Sequence, residues 1–279
     1  KGDVWESGQI KGSTVPVVYS GPCLLPLTRY FWNVKVRLGD GSWTELSETA
    51  SFSTGFMNKT SWKGHWITDT YDFDLKPAPY FRKEFTVGEK VKSAMAYIAV
   101  AGLYEMSING KKTGDHRLDP MYTRFDRRTL YVAYDVTREL RLGENVIGVL
   151  LGNGWYNHQS TAVWYFDKAP WRARPKFCMD LRITYEDGTE ETICTGQDWK
   201  TTLSPVIFNS IYTAEHYDAR LEQPGWDSPG FDDSKWTRPL NTGAPSANIT
   251  AQALHPVRNV EKIPAVSMTR FSNRNYLFD

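Results

Sequence analysis

Strand-like patterns dominate residues 80–203, where they are broken only by turns and one long loop. Eight segments alternate apolar and polar residues or form short apolar runs, as β-strands do. Asn109-Gly110 predicts a two-residue hairpin turn. Because no segment of a dozen residues has a helical period, we predict an all-β fold, and eight short strands in one unit are typical of a two-sheet jelly roll. The segments are 80–87, 95–101, 103–109, 130–136, 146–151, 176–185, 190–195 and 199–203.

Regions outside this unit carry weaker strand patterns. Residues 1–57 contain about four strand-like segments, roughly half of a seven-stranded sandwich, so we predict a partial β-sandwich truncated at its N-terminus. Its clearest segment, residues 30–37, alternates apolar with mostly polar residues and predicts one buried face. We interpret residues 58–79 as a connector, 80–240 as the jelly roll, and 241–279 as a linker followed by the start of a further β-domain.

The composition and charge of the chain argue against two kinds of partner, nucleic acid and the membrane interior. The formal net charge is +1, and no basic stripe or acidic tail stands out, so we expect no nucleic-acid partner. The longest apolar run, residues 146–151, is far too short to cross a bilayer, so we expect no membrane span. Aromatic residues make up 14% of the chain, and their rings suit both buried β-cores and ligand platforms.

The three cysteines, Cys23, Cys178 and Cys194, form neither a disulfide framework nor a C-x-x-C motif. A two-residue turn at Asp187-Gly188 sets Leu181 opposite Cys194, which places Cys178 on the other face of the sheet. A bridge between Cys178 and Cys194 is therefore disfavoured, and we predict free, structural thiols.

The long loop from Asn153 to Arg174 lies between two predicted strands and is rich in aromatic, amide and imidazole groups. Structureless loops of this length are uncommon and are often functional. Aromatic rings stack on the C–H faces of sugars while amides and imidazoles bond hydroxyl groups, so the loop predicts a carbohydrate site. The alternative is that these rings plug the end of the sandwich or pack on a neighbouring domain. The candidate sugar-binding residues are Asn153, Trp155, Asn157, His158, Trp164, Tyr165 and Trp171.

Standard catalytic signatures are absent from the sequence, which has no H-E-x-x-H, G-x-S-x-G or P-loop pattern. The candidate acid/base pair is Glu215 with Asp218, since glycosidases use two carboxylates. Arg220 lies close enough in sequence to pair with either carboxylate, and we favour this structural interpretation over catalysis.

Two acidic residues, Asp119 and Asp126, are candidate ligands for a cation beside a sugar. Three arginines in the same segment, Arg124, Arg127 and Arg128, offer the simpler alternative of salt bridges, which we favour. We therefore expect that no cofactor is required.

A set of ordered motifs extends along most of the chain. They are Pro79-Tyr80-Phe81-Arg82-Lys83-Glu84-Phe85, Ile108-Asn109-Gly110, Leu118-Asp119-Pro120, Tyr134-Asp135-Val136-Thr137, Leu151-Gly152-Asn153-Gly154-Trp155-Tyr156 and Gly225-Trp226-Asp227. In this order they resemble the N-terminal domain of bacterial α-L-rhamnosidases of glycoside hydrolase family 78. The segment from Trp5-Glu6-Ser7-Gly8 to Phe52-Ser53-Thr54-Gly55 resembles the fibronectin-type-III-like module that precedes that domain. The resemblance implies an all-β chain in which a partial fibronectin-III-like sandwich is followed by a jelly-roll β-sandwich.

The resemblance also implies a role without catalysis. In that family the catalytic unit is an (α/α)₆ barrel, and no such helical pattern occurs here, so no catalytic residue carries over and we expect the chain alone to be inactive. The implied parent is a hydrolase of L-rhamnose-containing glycans, exported to the periplasm or cell surface, with the missing C-terminal barrel as a partner of these domains. Some relatives bind rhamnose on this domain through calcium, so the resemblance admits a calcium ion. The alternative is a stand-alone sugar-binding or cell-surface adhesion module.

Overall fold

The computed structural model describes residues 2–11, 16–57, 62–161, 164–273 and 275–279. It divides into two compact units, Lys1–Ser61 and Trp62–Asp279. Its described residues form strands and two short 3₁₀ helices, Phe166–Lys168 and Ala219–Leu221. Neither helix has the length and apolarity needed to span a membrane. The all-β fold class is therefore confirmed. The strands are β1 (Arg29–Trp32), β2 (Ala50–Ser53), β3 (Trp66–Thr68), β4 (Pro79–Val87), β5 (Val91–Ala101), β6 (Leu103–Ile108), β7 (Lys111–Lys112), β8 (His116–Arg117), β9 (Thr129–Asp135), β10 (Gly143–Gly152), β11 (Lys176–Tyr185), β12 (Glu190–Cys194), β13 (Lys200–Leu203), β14 (Val206–Ser210), β15 (Ala214–Tyr217), β16 (Leu240–Thr242), β17 (Ile249–Ala251), β18 (Val257–Arg258), β19 (Met268–Arg270) and β20 (Tyr276–Phe278).

The first unit contains one two-stranded sheet in its described residues. Strands β1 and β2 pair antiparallel, and the rings of Tyr30 and Phe52 stack with centroids 5.6 Å apart. The buried face predicted for residues 30–37 is not found, because Trp32, Val34 and Val36 are each about half exposed. Alternation specifies which side chains share a face, but burial needs a second layer over that face. The described residues of this unit form no second sheet.

Two sheets of the second unit share one hydrophobic core. The five-stranded sheet has the order β13-β4-β10-β6-β7, and the seven-stranded sheet has the order β16-β3-β11-β5-β9-β17 with β12 paired to β11. Inward side chains alternate along the central strands, as on β11, where Phe177, Met179 and Leu181 are fully buried. Phe81 of β4 meets Phe177 edge to face at 5.1 Å, which joins the two sheets.

All eight strands predicted within residues 80–203 are present, as β4, β5, β6, β9, β10, β11, β12 and β13. The predicted hairpin is also present: Asn109 and Gly110 have φ angles of 54° and 79°, and Ile108 pairs with Lys111 across the turn. Positive φ at both central residues is the requirement of a type I′ turn, which matches the twist of the paired strands.

Three short strands from outside residues 80–240 join the seven-stranded sheet. β3 comes from the predicted connector, whose residues 58–61 lie outside the described residues, and β16 and β17 reach into the predicted linker. β16 pairs antiparallel with β3, and β17 pairs parallel with β9. A strand of three residues is too short to show a recognisable alternation in its own sequence. The strands it pairs with lie far along the chain, so they give no local signal either.

The register of the β11–β12 hairpin differs from the prediction by one residue. Asp180, not Leu181, lies opposite Cys194, so Cys178 and Cys194 share one face of the sheet. The cause is the turn, in which Tyr185 N–H donates to Thr189 O at 2.9 Å across three residues rather than two. Both thiols are nevertheless free, as predicted, and burial raises the pKa of Cys178 to about 12.

Candidate functional site

The predicted carbohydrate loop joins the two sheets, since it leaves β10 at Gly152 and enters β11 at Lys176. Residues 162–163 of this loop lie outside the described residues. The loop has two parts with different surroundings. We call Asn153, Asn157, Arg172 and Arg174 the loop base. We call Phe166, the loop rings around it and their neighbours in sequence the loop tip, namely Trp155, His158, Gln159, Trp164, Tyr165, Phe166, Asp167 and Trp171.

The two asparagines of the loop base are buried and bonded to the protein itself. Asn153 Nδ2 donates to Asn209 O at 3.0 Å, and its Oδ1 accepts from Asn157 Nδ2 at 3.0 Å. Asn157 Nδ2 also donates to Phe73 O at 2.9 Å. Each asparagine is only 1% exposed. Their amides therefore shape the loop, and in this structure they do not face solvent as the carbohydrate prediction required.

The two arginines of the loop base fasten the loop to residues 69–77. Arg174 is 1% exposed; its Nε donates to Asp69 Oδ1 at 2.9 Å and its Nη1 donates to Leu75 O at 2.8 Å. Arg172 Nε donates to Asn157 Oδ1 at 3.1 Å, and its Nη2 donates to Asp74 Oδ1 at 2.9 Å. Sequence reasoning missed this role, because Asp69 lies 105 positions from Arg174 and no local pattern links them.

Aromatic rings of the loop tip surround Phe166, which the sequence prediction did not include. Its ring lies within contact distance of five others, in edge-on or tilted arrangements that aromatic pairs favour. Tyr122, from the segment before β9, also adds a ring that was not predicted. The centroid distances from Phe166 are 5.5 Å to Trp155, 5.8 Å to Trp164, 5.8 Å to Trp171, 5.9 Å to Tyr122 and 6.4 Å to His158.

Two of the predicted aromatic residues present their rings to solvent. Trp164 and Tyr165 are 74% and 71% exposed, whereas Trp155 and Trp171 are half-buried. Trp164 and Tyr165 also have left-handed backbones, with φ angles of 47° and 54°. Bulky side chains rarely adopt this conformation, and such residues concentrate at ligand-binding segments.

Polar groups of the loop tip are buried without hydrogen-bond partners among the residues that the structure describes. His158 is 1% exposed, its ring lies 5.2 Å from that of Trp155, and burial lowers its pKa, so the imidazole is neutral at pH 7. Because buried polar atoms are nearly always hydrogen-bonded, a cluster of unpartnered ones requires a physical explanation. Six such atoms lie in the tip: His158 Nδ1 and Nε2, Gln159 Oε1 and Nε2, Asp167 Oδ1 and Trp171 Nε1.

The candidate acid/base pair lies in and beside the β14–β15 hairpin. Arg220 Nε and Nη2 donate to Asp218 at 2.8 and 2.6 Å, and these bonds lower the pKa of Asp218 to about 2. A carboxyl group with so low a pKa stays ionised near neutral pH and cannot act as a general acid. Glu215 lies on the exposed strand β15. The predicted pairing of Asp218 with Arg220 is confirmed.

The two candidate cation ligands are occupied by protein partners. Asp119 is buried and accepts from Gln252 Nε2 at 3.0 Å, while its other oxygen lies 2.6 Å from His116 Nδ1. Asp126 accepts from Arg124 Nε at 2.9 Å, which lowers the pKa of Asp126. Among the described residues no group of three or more His, Cys, Asp or Glu is placed to hold a metal ion. In this structure both carboxylates are bonded to other protein groups, and their role as cation ligands stays a prediction.

The fold and the loop define a β-sandwich module with an exposed aromatic surface. A family model described as "Alpha-L-rhamnosidase N-terminal domain" matches residues 89–261. A second, described as "Rha78A-like, N-terminal immunoglobulin domain", matches residues 1–58, and immunoglobulin and fibronectin type III domains share the sandwich architecture. The chain belongs to the α-L-rhamnosidase N-terminal domain family, which confirms the resemblance read from the sequence.

Several relatives match over nearly the whole chain. Curated α-L-rhamnosidases of Formosa agariphila and Alteromonas sp. are 32% and 30% identical, each over 99% of this chain but over only 32% and 31% of their own length. The solved α-L-rhamnosidase of Dictyoglomus thermophilum is 36% identical with a TM-score of 0.87, covering all of this chain and 32% of that protein. The Streptomyces avermitilis enzyme, solved with L-rhamnose, has the same fold at 23% identity and a TM-score of 0.87, covering 99% of this chain and 43% of that one. The chain spans about a third of the length of the curated relatives it matches.

Proposed function

We propose that this chain forms the non-catalytic N-terminal β-domains of an α-L-rhamnosidase-type glycoside hydrolase that removes terminal L-rhamnose from plant or bacterial glycans. The match of the rhamnosidase N-terminal family model to residues 89–261 carries this proposal. The named curated relatives are α-L-rhamnosidases, and this chain covers 32% and 31% of their lengths, which leaves room in them for a separate catalytic domain.

Catalysis in this proposal belongs to a barrel domain outside this chain. In support, the carboxylate of Asp218 is paired with Arg220 and cannot donate the proton that a glycosidase needs. The test is release of a chromogenic α-L-rhamnoside, and we expect none from this chain and hydrolysis by the longer protein that contains it. Hydrolysis by this chain alone that is lost in Glu215→Gln would overturn the proposal.

Within the parent enzyme, we assign the loop tip the role of holding a sugar. Trp164 and Tyr165 expose most of their rings, and an aromatic face binds the C–H face of a pyranose by apolar contact. The same tip carries buried donors and acceptors that have no hydrogen-bond partner in the described part of the chain. An apolar platform combined with a few polar groups is the usual composition of a small-molecule site.

The alternative partner for these rings is another domain of the parent protein. In its favour, Tyr122, Trp155 and Trp164 form one continuous aromatic cluster, and aromatic residues are enriched in the cores of protein interfaces. The two partners make different demands, since a sugar needs hydroxyl-binding groups beside the rings whereas a domain interface needs a broad apolar area.

A calorimetric titration of this chain with L-rhamnose and methyl α-L-rhamnoside separates the two partners, with tryptophan fluorescence as a second readout. We expect saturable binding that Trp164→Ala weakens. The matched control is Trp43→Ala, because Trp43 is 51% exposed in the first unit and should leave the affinity unchanged. An absence of heat and of fluorescence change would contradict the sugar-binding role and favour the domain interface.

The substrate class also sets an expectation for localisation. Because glycans of plants and bacterial surfaces lie outside the cell, we propose that the parent protein is exported to the periplasm or the cell surface. Fractionation of the producing cells tests this, and recovery of the parent protein in the cytoplasmic fraction alone would contradict it.

A further inference from the structure

Strands β14 and β15 form a hairpin that belongs to neither of the two large sheets. Residues 211–217, from its turn to the end of β15, are all exposed, and so are residues 219–222. The four large apolar side chains in this stretch are 40–61% exposed, namely Ile211, Tyr212, Tyr217 and Leu221. We call these four side chains the hairpin surface. Apolar side chains concentrated on one exposed element mark an interaction site.

Strand β14 fastens the hairpin to the rest of the second unit. Val206 is buried at the start of this strand. Asn209 Oδ1 accepts from Asn153 N at 2.7 Å, and Asn209 Nδ2 donates to Lys76 O at 3.2 Å. The exposed apolar side chains are therefore held on a fixed support, which lowers the entropy cost of binding a partner.

Strand β15 has an unprotected edge. Among the described strands it pairs only with β14, so its other edge has no strand beside it. Natural proteins usually cover such an edge or place Pro or Lys on it, and residues 214–217 contain neither. Ala214, the first residue of β15, has a φ angle of 118°, which residues other than Gly rarely adopt and which concentrates at functional segments. Both features indicate that a partner completes the hairpin.

We propose that the hairpin surface docks against the part of the parent protein that lies outside this chain. This inference rests on the proposed function, in which these β-domains belong to a longer glycoside hydrolase. The chain covers 32% and 31% of the lengths of two curated relatives, so the larger part of such a protein is available as the partner. A covalently linked domain is the favoured occupant, because the linkage gives it a high effective concentration at the hairpin.

The charges beside the hairpin surface define the chemistry of the docked face. Asp218 and Arg220 neutralise each other, which leaves the exposed carboxylates of Glu215 and Glu222 in excess. We therefore expect a partner face that is apolar at its centre and carries Lys or Arg at its rim. Residues 206–222, all of which the structure describes, contain no buried side-chain polar atom without a partner. A sugar would need such groups, so the composition favours a protein surface.

Hydrogen–deuterium exchange of this chain and of the longer parent protein tests the docking. Amides of residues 214–217 should exchange at least about tenfold more slowly in the parent than in the chain, because the partner covers them. The test variant is Leu221→Asn, since a polar substitution at an exposed position leaves the isolated chain folded. In the parent this variant should return residues 214–217 to fast exchange. The matched control is Leu142→Asn, at a position that is 71% exposed, and it should leave their exchange slow.

The outcomes separate the docking from the proposed function. Slow exchange in the parent that Leu221→Asn abolishes supports the docking. Equal exchange in the chain and the parent overturns it, and hydrolysis of a rhamnoside by that parent would leave the proposed function standing. A parent that hydrolyses no rhamnoside refutes the proposed function, while the exchange comparison still decides the docking.

Two further results would also overturn the proposal. Slow exchange in the parent that Leu221→Asn leaves unchanged would show that the hairpin surface does not make the contact. Protection of residues 214–217 that grows with the concentration of the isolated chain would assign the surface to a second copy of this chain.

Discussion

The loop base and the loop tip belong to the same 22-residue span from Asn153 to Arg174, yet they treat buried polar groups in opposite ways. In the base, Arg174 and Asn153 each make several bonds to protein groups. In the tip, His158, Gln159, Asp167 and Trp171 bury polar atoms that have no such partner among the described residues. A satisfied network fixes one geometry, whereas an unsatisfied one is tolerated where another molecule completes it. The comparison is consistent with a base that serves as scaffold, and it supports the proposal that the tip binds a ligand.

The largest expected effect comes from breaking the buried ion pair of the base. Arg174→Leu leaves the carboxylate of Asp69 without its cation in a site where the side chains are 1% and 8% exposed. Removal of one partner from such a pair costs about 3–5 kcal/mol of unfolding free energy. Urea denaturation measures this loss. Adding Asp69→Leu should recover part of it, and Arg220→Leu, at an exposed pair, should leave the midpoint unchanged.

A smaller loss is expected from the amide network of the base. Asn153→Ala removes the acceptor of Asn157 Nδ2 and the donor to Asn209 O, which leaves buried groups unpaired. We expect the unfolding free energy to fall by about 1–3 kcal/mol, again by urea denaturation. Asn248→Ala, at an exposed position, is the control. Equal stability of both variants would show that the base is not the rigid part of the loop.

A substitution in the tip should have the opposite effect: it should change the affinity for sugar and leave the unfolding free energy nearly unchanged. Tyr165→Ala removes a ring that is 71% exposed, so the unfolding free energy should change by no more than about 0.5 kcal/mol. Affinity for L-rhamnose should fall by about tenfold, the typical value of one stacked ring. A variant that loses stability but keeps its affinity would place Tyr165 with the base.

The smallest effect expected is a pH dependence of stability arising from His158. In the unfolded chain His158 takes up a proton near its ordinary pKa of about 6.5. In the folded chain burial lowers this pKa, so His158 takes up the proton only at lower pH. The stability contribution is complete above pH 6.5 and falls as the pH drops toward the folded pKa. Between pH 7 and pH 5 the melting temperature of His158→Gln should fall by less than that of the wild type. His255→Gln, at an exposed position, should follow the wild type.

The same contrast explains what the sequence could predict. Strand β11 and the Asn109-Gly110 turn were predictable, because alternation and turn chemistry are local properties. Strands β3 and β16 were missed, since three residues carry no pattern and their pairing joins distant segments. The register at Cys194 was wrong because a three-residue turn replaced the expected two-residue turn.

In the candidate site, residue type singled out the loop but could not separate its base from its tip. Asn153 and His158 are both polar residues of the same loop, and both are 1% exposed. They differ in whether a residue from a distant part of the chain forms a hydrogen bond with the side chain. Asn209 bonds Asn153, while no atom of the described residues bonds the ring nitrogens of His158. Such pairing depends on tertiary structure and leaves no trace in a local motif.

Hydrogen–deuterium exchange of this chain with and without saturating L-rhamnose tests the central claim most directly. The account predicts slower amide exchange in the segments 155–161 and 164–171, which carry the tip side chains, on addition of the sugar. It predicts no change in residues 69–77, which hold the base. Protection centred on residues 116–128, around Asp119 and Asp126, would contradict the account and point instead to those aspartates.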